Sequence, residues 1–150
     1  MVFKLGELQA VVDALQGILT QRLPVKAAYW LGKFLRKAQE ELQEFQAGRI
    51  RLCEQYCRKD AKGEPVKMIE GGNGALVEAA EGYQGVFRYD FAHLTAEERQ
   101  ALDNEFKELT ETEVTFDLKP LTLDQLGDKV EATAEEMAAL QPLIVEGPPA

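Results

Sequence analysis

One stretch constrains this chain more than any other. From Pro24 to about Lys59 it carries its longest uninterrupted helical pattern. At about 1.5 Å per residue this is roughly 50 Å of helix. That is longer than a compact domain of this size is wide, so one end is expected to project or to pack on a partner. Leu23-Pro24 sets the start, because the N–H that proline lacks has no intrahelical partner in a first turn. Ala28, Leu31, Leu35, Ala38, Leu42 and Phe45 then step by three and four, which is one face of a helix. A strict seven-residue repeat would next put Arg49 on the seam. The apolar stripe instead drifts to Ile50, Cys53 and Cys57, as it does on a nearly straight helix that packs in its own domain. Cations suit the negative end of a helix, so the end is expected near Arg58-Lys59.

The rest of the pattern hangs on this rod. Leu8, Val11, Val12, Leu15, Ile18 and Leu19 make an amphipathic helix from Glu7 to about Gln21, joined to the rod by Arg22-Leu23-Pro24 alone. A link that short makes neighbours of the two helices. After Lys59 glycine becomes frequent. Residues 66–70 and 86–91 are expected to pair as antiparallel strands, with Phe87, Tyr89 and Phe91 on one face and Gly71-Gly72-Asn73-Gly74 as a turn. Thr95 with Glu98, Thr122 with Gln125 and Thr133 with Glu136 are capping boxes that open three further helices. The first of these should reach about Leu109 and bury Leu102, Phe106 and Leu109. Residues 113–118 alternate as a strand, and Leu143-Ile144-Val145 is expected as a terminal one.

The fold class that follows is α+β: a long helical hairpin with a small antiparallel sheet and short C-terminal helices. The chain of 150 residues reads as a single domain, with residues 6–59 as the hairpin, 60–146 as a small α+β part and 147–150 as a loose tail. A net charge of −9 disfavours nucleic acid as a partner. No apolar run approaches the roughly 20 residues of a membrane span, and the start lacks the basic and apolar regions of a signal peptide. A reducing, cytoplasmic setting is the expectation.

Little in the chain reads as chemistry. Cys53 and Cys57 lie four apart on a helix, but a metal site needs two more ligands, and the single histidine, His93, lies in another segment. The pair reads as buried thiols. His93 has neither a serine nor a second histidine to work with. The glycine run lacks the lysine and hydroxyl of a phosphate loop. No cofactor, metal or catalytic residue is therefore assigned. Two surfaces stand out instead. Tyr29 and Trp30 lie among Arg22, Lys26, Lys33, Arg36 and Lys37, with no acid between Asp13 and Glu40. Tryptophan is a frequent interface anchor. Acids concentrate after Thr95, among them Glu97, Glu98, Glu105 and Glu108. Tyr29, Trp30, Lys33, Arg36 and Lys37 on one side, and these four acids on the other, are the expected contacts with a protein partner. The outer half of the rod leaves room for self-association.

The order of features carries one resemblance. Leu23-Pro24-Val25-Lys26-Ala27-Ala28-Tyr29 opens a long helix that turns acidic at Glu40-Glu41-Leu42. A glycine-containing loop follows, then Glu113-Val114-Thr115-Phe116-Asp117-Leu118-Lys119-Pro120-Leu121 and a capped helix. This resembles small uncharacterised accessory proteins carried by tailed bacteriophages. It covers most of the chain, although residues 66–91 have no counterpart. The resemblance implies no catalytic residues. What it implies is context: a viral accessory protein of the host bacterial cytoplasm or, as the alternative, a minor factor of head or tail assembly. From the residues themselves the expectation is a non-enzymatic protein that masks or bridges a partner protein, its acidic surface fitting the basic cleft of a host nucleic-acid-handling or defence protein that it would inhibit.

Overall fold

A computed structural model of the chain describes residues 1–127 and 129–145. The architecture is α+β. In order it contains β1 (Val2–Lys4), α1 (Leu5–Leu19), α2 (Val25–Tyr56), β2 (Lys67–Glu70), β3 (Leu76–Glu78), β4 (Arg88–Tyr89) and α3 (Ala96–Glu111). There follow β5 (Glu113–Thr115), β6 (Leu121–Thr122), α4 (Leu123–Leu126), α5 (Ala134–Leu140) and β7 (Ile144–Val145). No helix among the described residues is long and apolar enough to cross a membrane. The chain divides into two compact units, Met1–Gln46 with Leu109–Ala150, and Ala47–Glu108. The buried stripe of α2 changes near the same place. Its buried positions end at Phe45, and Arg49, four residues on, is exposed.

The first unit holds the main core. Phe3 of β1, Leu8, Leu15 and Ile18 of α1, and Leu31, Phe34 and Ala38 of α2 are buried together with Phe116 and Leu140. Phe3, Phe34 and Phe116 form a three-ring centre, with centroids 5.5, 5.7 and 4.7 Å apart. The buried stripe of α2 is Ala27, Leu31, Phe34, Ala38, Leu42 and Phe45. Leu31, Ala38, Leu42 and Phe45 are buried as the periodicity expects, while the fold buries Ala27 and Phe34 where it names Ala28 and Leu35, both half-buried, so the inward face is centred slightly to one side of the expected one. Ile50 is 48% exposed, against the expected drift of the stripe.

α1 and α2 make the helical hairpin. The link is residues 20–24 rather than 22–24, because α1 ends at Leu19: Thr20 Oγ1 donates to Gly17 O at 2.8 Å and Gln21 N to Ile18 O at 3.0 Å. The freed Gln21 side chain meets both backbone groups of Glu131, donating to its carbonyl at 2.6 Å and accepting from its amide at 2.7 Å. α2 opens after Pro24, whose carbonyl accepts from Ala28 N at 3.0 Å. β1 pairs antiparallel with β5, with Phe3 opposite Val114. β6 and β7 pair in parallel, with Leu121 opposite Ile144. The expected terminal strand is present, and its partner is the segment just before α4. Thr133 accepts from Glu136 N at 3.1 Å and caps α5.

The second unit carries a three-stranded antiparallel sheet in the order β3-β2-β4. β2 pairs with β4, with Met68 opposite Arg88, as the alternation of apolar residues anticipates. β3 is an unanticipated strand, joined to β2 by the glycine turn. Gly71 N donates to Ala75 O at 2.8 Å, and Gly74 takes a φ of 79°, which only glycine adopts cheaply. Phe87 meets Tyr89 edge-on at 5.2 Å, and Tyr89 meets Phe91 at a tilt at 6.4 Å, along one face. α2 ends at Tyr56 rather than at residues 58–59, and Lys59 Nζ donates back to Glu54 O at 2.6 Å, across the last turn. Of the side chains expected inside α3, Leu102 is buried, while Phe106 and Leu109 are half-buried. The tail at 147–150 lies outside the described residues.

Candidate functional site

Trp30 sits where two stripes of α2 meet. Ala27, Leu31, Phe34 and Ala38 face the core of the first unit. One residue earlier in each step, at Lys26, Trp30, Lys33 and Lys37, runs a parallel stripe, rotated by about 100°. Trp30 is half-buried at the border between the two. Tyr29 is 59% exposed and meets the Trp30 ring edge-on at 5.7 Å. Lys33 Nζ lies 5.3 Å from the Trp30 ring centre, a cation–π contact. Arg36 and Lys37 are exposed further along the same helix. The fold therefore joins the aromatic pair to Lys33, as the spacing anticipates.

Beside Trp30 the first unit opens a groove of about 870 Å³. α2 gives it Lys26 and Trp30, α4 gives Gln125 and β7 gives Val145. One wall is the irregular run from Phe116 to Pro120, which leads from β5 into β6. Its floor includes Phe116 and Leu121, both buried. Lys26 and Lys119 are exposed and stand against one acid of the lining, Asp117. The groove thus has an aromatic rim, an apolar floor and a local excess of positive charge in a chain of net charge −9. Sequence reading picks out Trp30 and Lys26 but not the 116–120 wall. The available signal is Lys119-Pro120, since a proline cannot donate to a ladder and interrupts the strand pattern.

The four acids named from the sequence all belong to α3 and to the second unit, whereas the five aromatic and basic residues belong to the first. Glu97 and Glu98 are exposed. Glu98 also caps its own helix, accepting from Thr95 N at 3.2 Å. The Glu105 carboxylate meets the Tyr56 hydroxyl, a contact that raises the phenol's pKa. Its Oε2 is shut from water with no hydrogen-bond partner. Glu108 is exposed.

The second unit has an ionic centre that sequence reasoning does not find. Arg58 Nε contacts Asp90 Oδ2, and Arg58 Nη2 contacts Glu78 Oε1, each at 2.7 Å. The Arg58 backbone joins in, its N–H donating to Asp90 O at 2.8 Å and its carbonyl accepting from Val66 N at 2.9 Å. The Ala92 backbone N–H, and then Arg58, hold the Asp90 carboxyl below its ordinary pKa. Periodicity assigns Arg58 to the end of the helix. Its partners lie 20 and 32 residues away, beyond the reach of any local pattern. Burial raises the pKa of both Cys53 and Cys57, and Cys57 Sγ donates to Glu54 O at 3.5 Å. Thiols held protonated in this way are poor nucleophiles. His93 is exposed. Among the described residues, no three of His, Cys, Asp and Glu are grouped so as to hold a metal ion.

No protein-family model, curated protein or solved structure matches the chain.

Proposed function

We propose that this is a non-enzymatic accessory protein that binds a partner protein through the Trp30 face of its first unit, masking or bridging that partner. The observation that carries the reading is the groove beside Trp30. An aromatic anchor, half-buried at the edge of an apolar depression, is the composition of a protein-binding hot spot, and Lys26, Lys33 and Lys119 add positive charge beside it. The lining offers lysines, one aspartate, a glutamine and apolar side chains. Among the described residues of the lining there is no serine, cysteine or histidine that a nucleophilic mechanism would use.

The resemblance to phage accessory proteins supplies the setting in which to look, the cytoplasm of an infected bacterium. The acidic outer surface of α3, with Glu97, Glu98, Asp103 and Glu111 exposed, favours a target with a basic cleft, such as a host nucleic-acid-handling or defence protein. The test is affinity capture from bacterial lysates, with and without infection, at two salt concentrations. The bait is either the wild-type chain or the Trp30→Ala variant. The reading expects a defined protein that the wild type retains, that Trp30→Ala loses and that high salt weakens. Capture that is indifferent to Trp30 would refute it. Co-purifying capsid or tail proteins would identify the partner as part of a virion under assembly.

A further inference from the structure

We propose that the groove of the first unit takes an extended, acidic segment of the partner, laid as an added strand along Asp117–Lys119. The inference rests on the partner-binding reading above and specifies the chemistry of what is bound.

The backbone carries the first part of the argument. Phe116 N–H donates to Met1 O at 2.8 Å, and the next amide of this wall to find a backbone partner is that of Leu121, which donates to Leu143 O at 2.8 Å. Among the described residues, the amides and carbonyls of Asp117, Leu118 and Lys119 have no protein partner. Pro120 has no N–H to offer. A short unpaired run thus lies between two paired ones, and it forms a wall of the groove. Unpaired amides and carbonyls along a groove match the carbonyls and amides of another extended chain. A helix has already used its own. At about 3.3 Å per residue, the run from Asp117 to Pro120 has room for three or four residues of an added strand.

Charge selects the occupant. The chain carries a net charge of −9, yet among the described residues this groove is rimmed by Lys26 and Lys119 with Asp117 as its acid. Lys33 adds a further positive charge over the Trp30 ring. Side chains of an added strand alternate in direction. Apolar ones would fill the depression over Phe116 and Leu121 beside Trp30, while carboxylates between them would face the lysines.

The test is an amide-resolved NMR titration of the full chain with three peptides. The first is Glu-Val-Glu-Phe-Glu-Val-Glu. The second has the same sequence with alternate backbone nitrogens methylated, which blocks strand pairing. The third replaces every glutamate with lysine. The acidic peptide should bind, shifting the amides of Asp117, Leu118 and Lys119 and slowing their exchange. The methylated and lysine peptides should bind at least about tenfold more weakly. Both lysines are exposed, so Lys26→Glu/Lys119→Glu should fold and reverse the preference between the acidic and lysine peptides. Equal binding of the methylated peptide, or shifts that spare 117–119, would overturn strand addition. Equal binding of the lysine peptide would overturn the charge assignment. No binding at millimolar peptide would overturn the inference as a whole. Trp30-dependent capture of a partner from lysate would then show that the broader reading survives without it.

Discussion

Gly6 and Gly32 both lie inside helices of the first unit, yet the structure gives their replacement by alanine opposite signs. In an open helical site alanine stabilises by about 0.5–1 kcal/mol over glycine, because it loses less backbone freedom on folding. A methyl group on Gly32 meets nothing within 4 Å, so Gly32→Ala should gain about that much. A methyl group on Gly6 lands on Thr110 Cγ2, well inside contact distance, and lies 3.3 Å from the Thr110 carbonyl oxygen. Either Thr110 leaves its rotamer or the α1 and α3 backbones part. Overpacking of this kind costs about 1–3 kcal/mol. Set against the propensity gain, Gly6→Ala should destabilise by a net amount of up to roughly 2.5 kcal/mol. Thr110→Ala removes the methyl that clashes. In that background Gly6→Ala should recover about 1 kcal/mol, which is a coupling readable in a double-mutant cycle. Urea unfolding followed by tryptophan fluorescence suits the experiment, because Trp30 is the only tryptophan and lies in the same unit. If Gly6→Ala stabilises as much as Gly32→Ala, or shows no coupling to Thr110, the close approach of the two helices is wrong.

Three further outcomes follow from the packing and the charges. Phe34 is 1% exposed at the three-ring centre, so Phe34→Ala should cost about 3–5 kcal/mol in the same urea assay. Ile50→Ala should stay within about 0.5 kcal/mol, and equal costs would mean that α2 is turned the wrong way. Asp90 has its pKa lowered in the fold by the Ala92 amide and Arg58. Its contribution is therefore present above the unfolded carboxyl value of about 3.9 and is lost as pH falls through the lower folded one. NMR signals of Met68 and Tyr89 across an acid titration should show the second unit loosening there, and Asp90→Asn should flatten that limb. Cys57 is nearly closed to solvent and Cys53 is half-buried, both with raised pKa. Iodoacetamide at pH 8 should modify both more slowly than a free thiol, with Cys57 the slower, as followed by mass spectrometry. Rapid labelling of Cys57 would contradict its burial.

Much of the fold is legible where the signal is local. The caps at Thr95, Thr122 and Thr133 open helices because each box joins groups only three residues apart. The start of α2 after Pro24 and the glycine turn after β2 follow from backbone chemistry at single residues. Periodicity finds Leu31, Ala38, Leu42 and Phe45 on the inward side of α2, and less legible is where the margin of that side runs. Ala27 and Ala28 differ by one position and by nothing in hydrophobicity, and Phe34 and Leu35 are both apolar. Only the rings of Phe3 and Phe116, distant in sequence, select Phe34. The candidate site divides in the same way. Trp30 among cations is visible in the sequence, while the wall that makes it the rim of a groove comes from residues 116–120.

Helix caps, the glycine turn and the run of cations around Tyr29 and Trp30 are properties of neighbours in the chain, and the sequence alone determined them. Tertiary structure decided the antiparallel pairing of β1 with β5, the parallel pairing of β6 with β7, the grip of Gln21 on Glu131 and the joining of Arg58 to Glu78 and Asp90. The physical reason is separation along the chain. A backbone amide or a guanidinium can take any acceptor that burial brings to it. Which acceptor arrives depends on how whole faces of helix and strand are excluded from water together, and no local spacing records that.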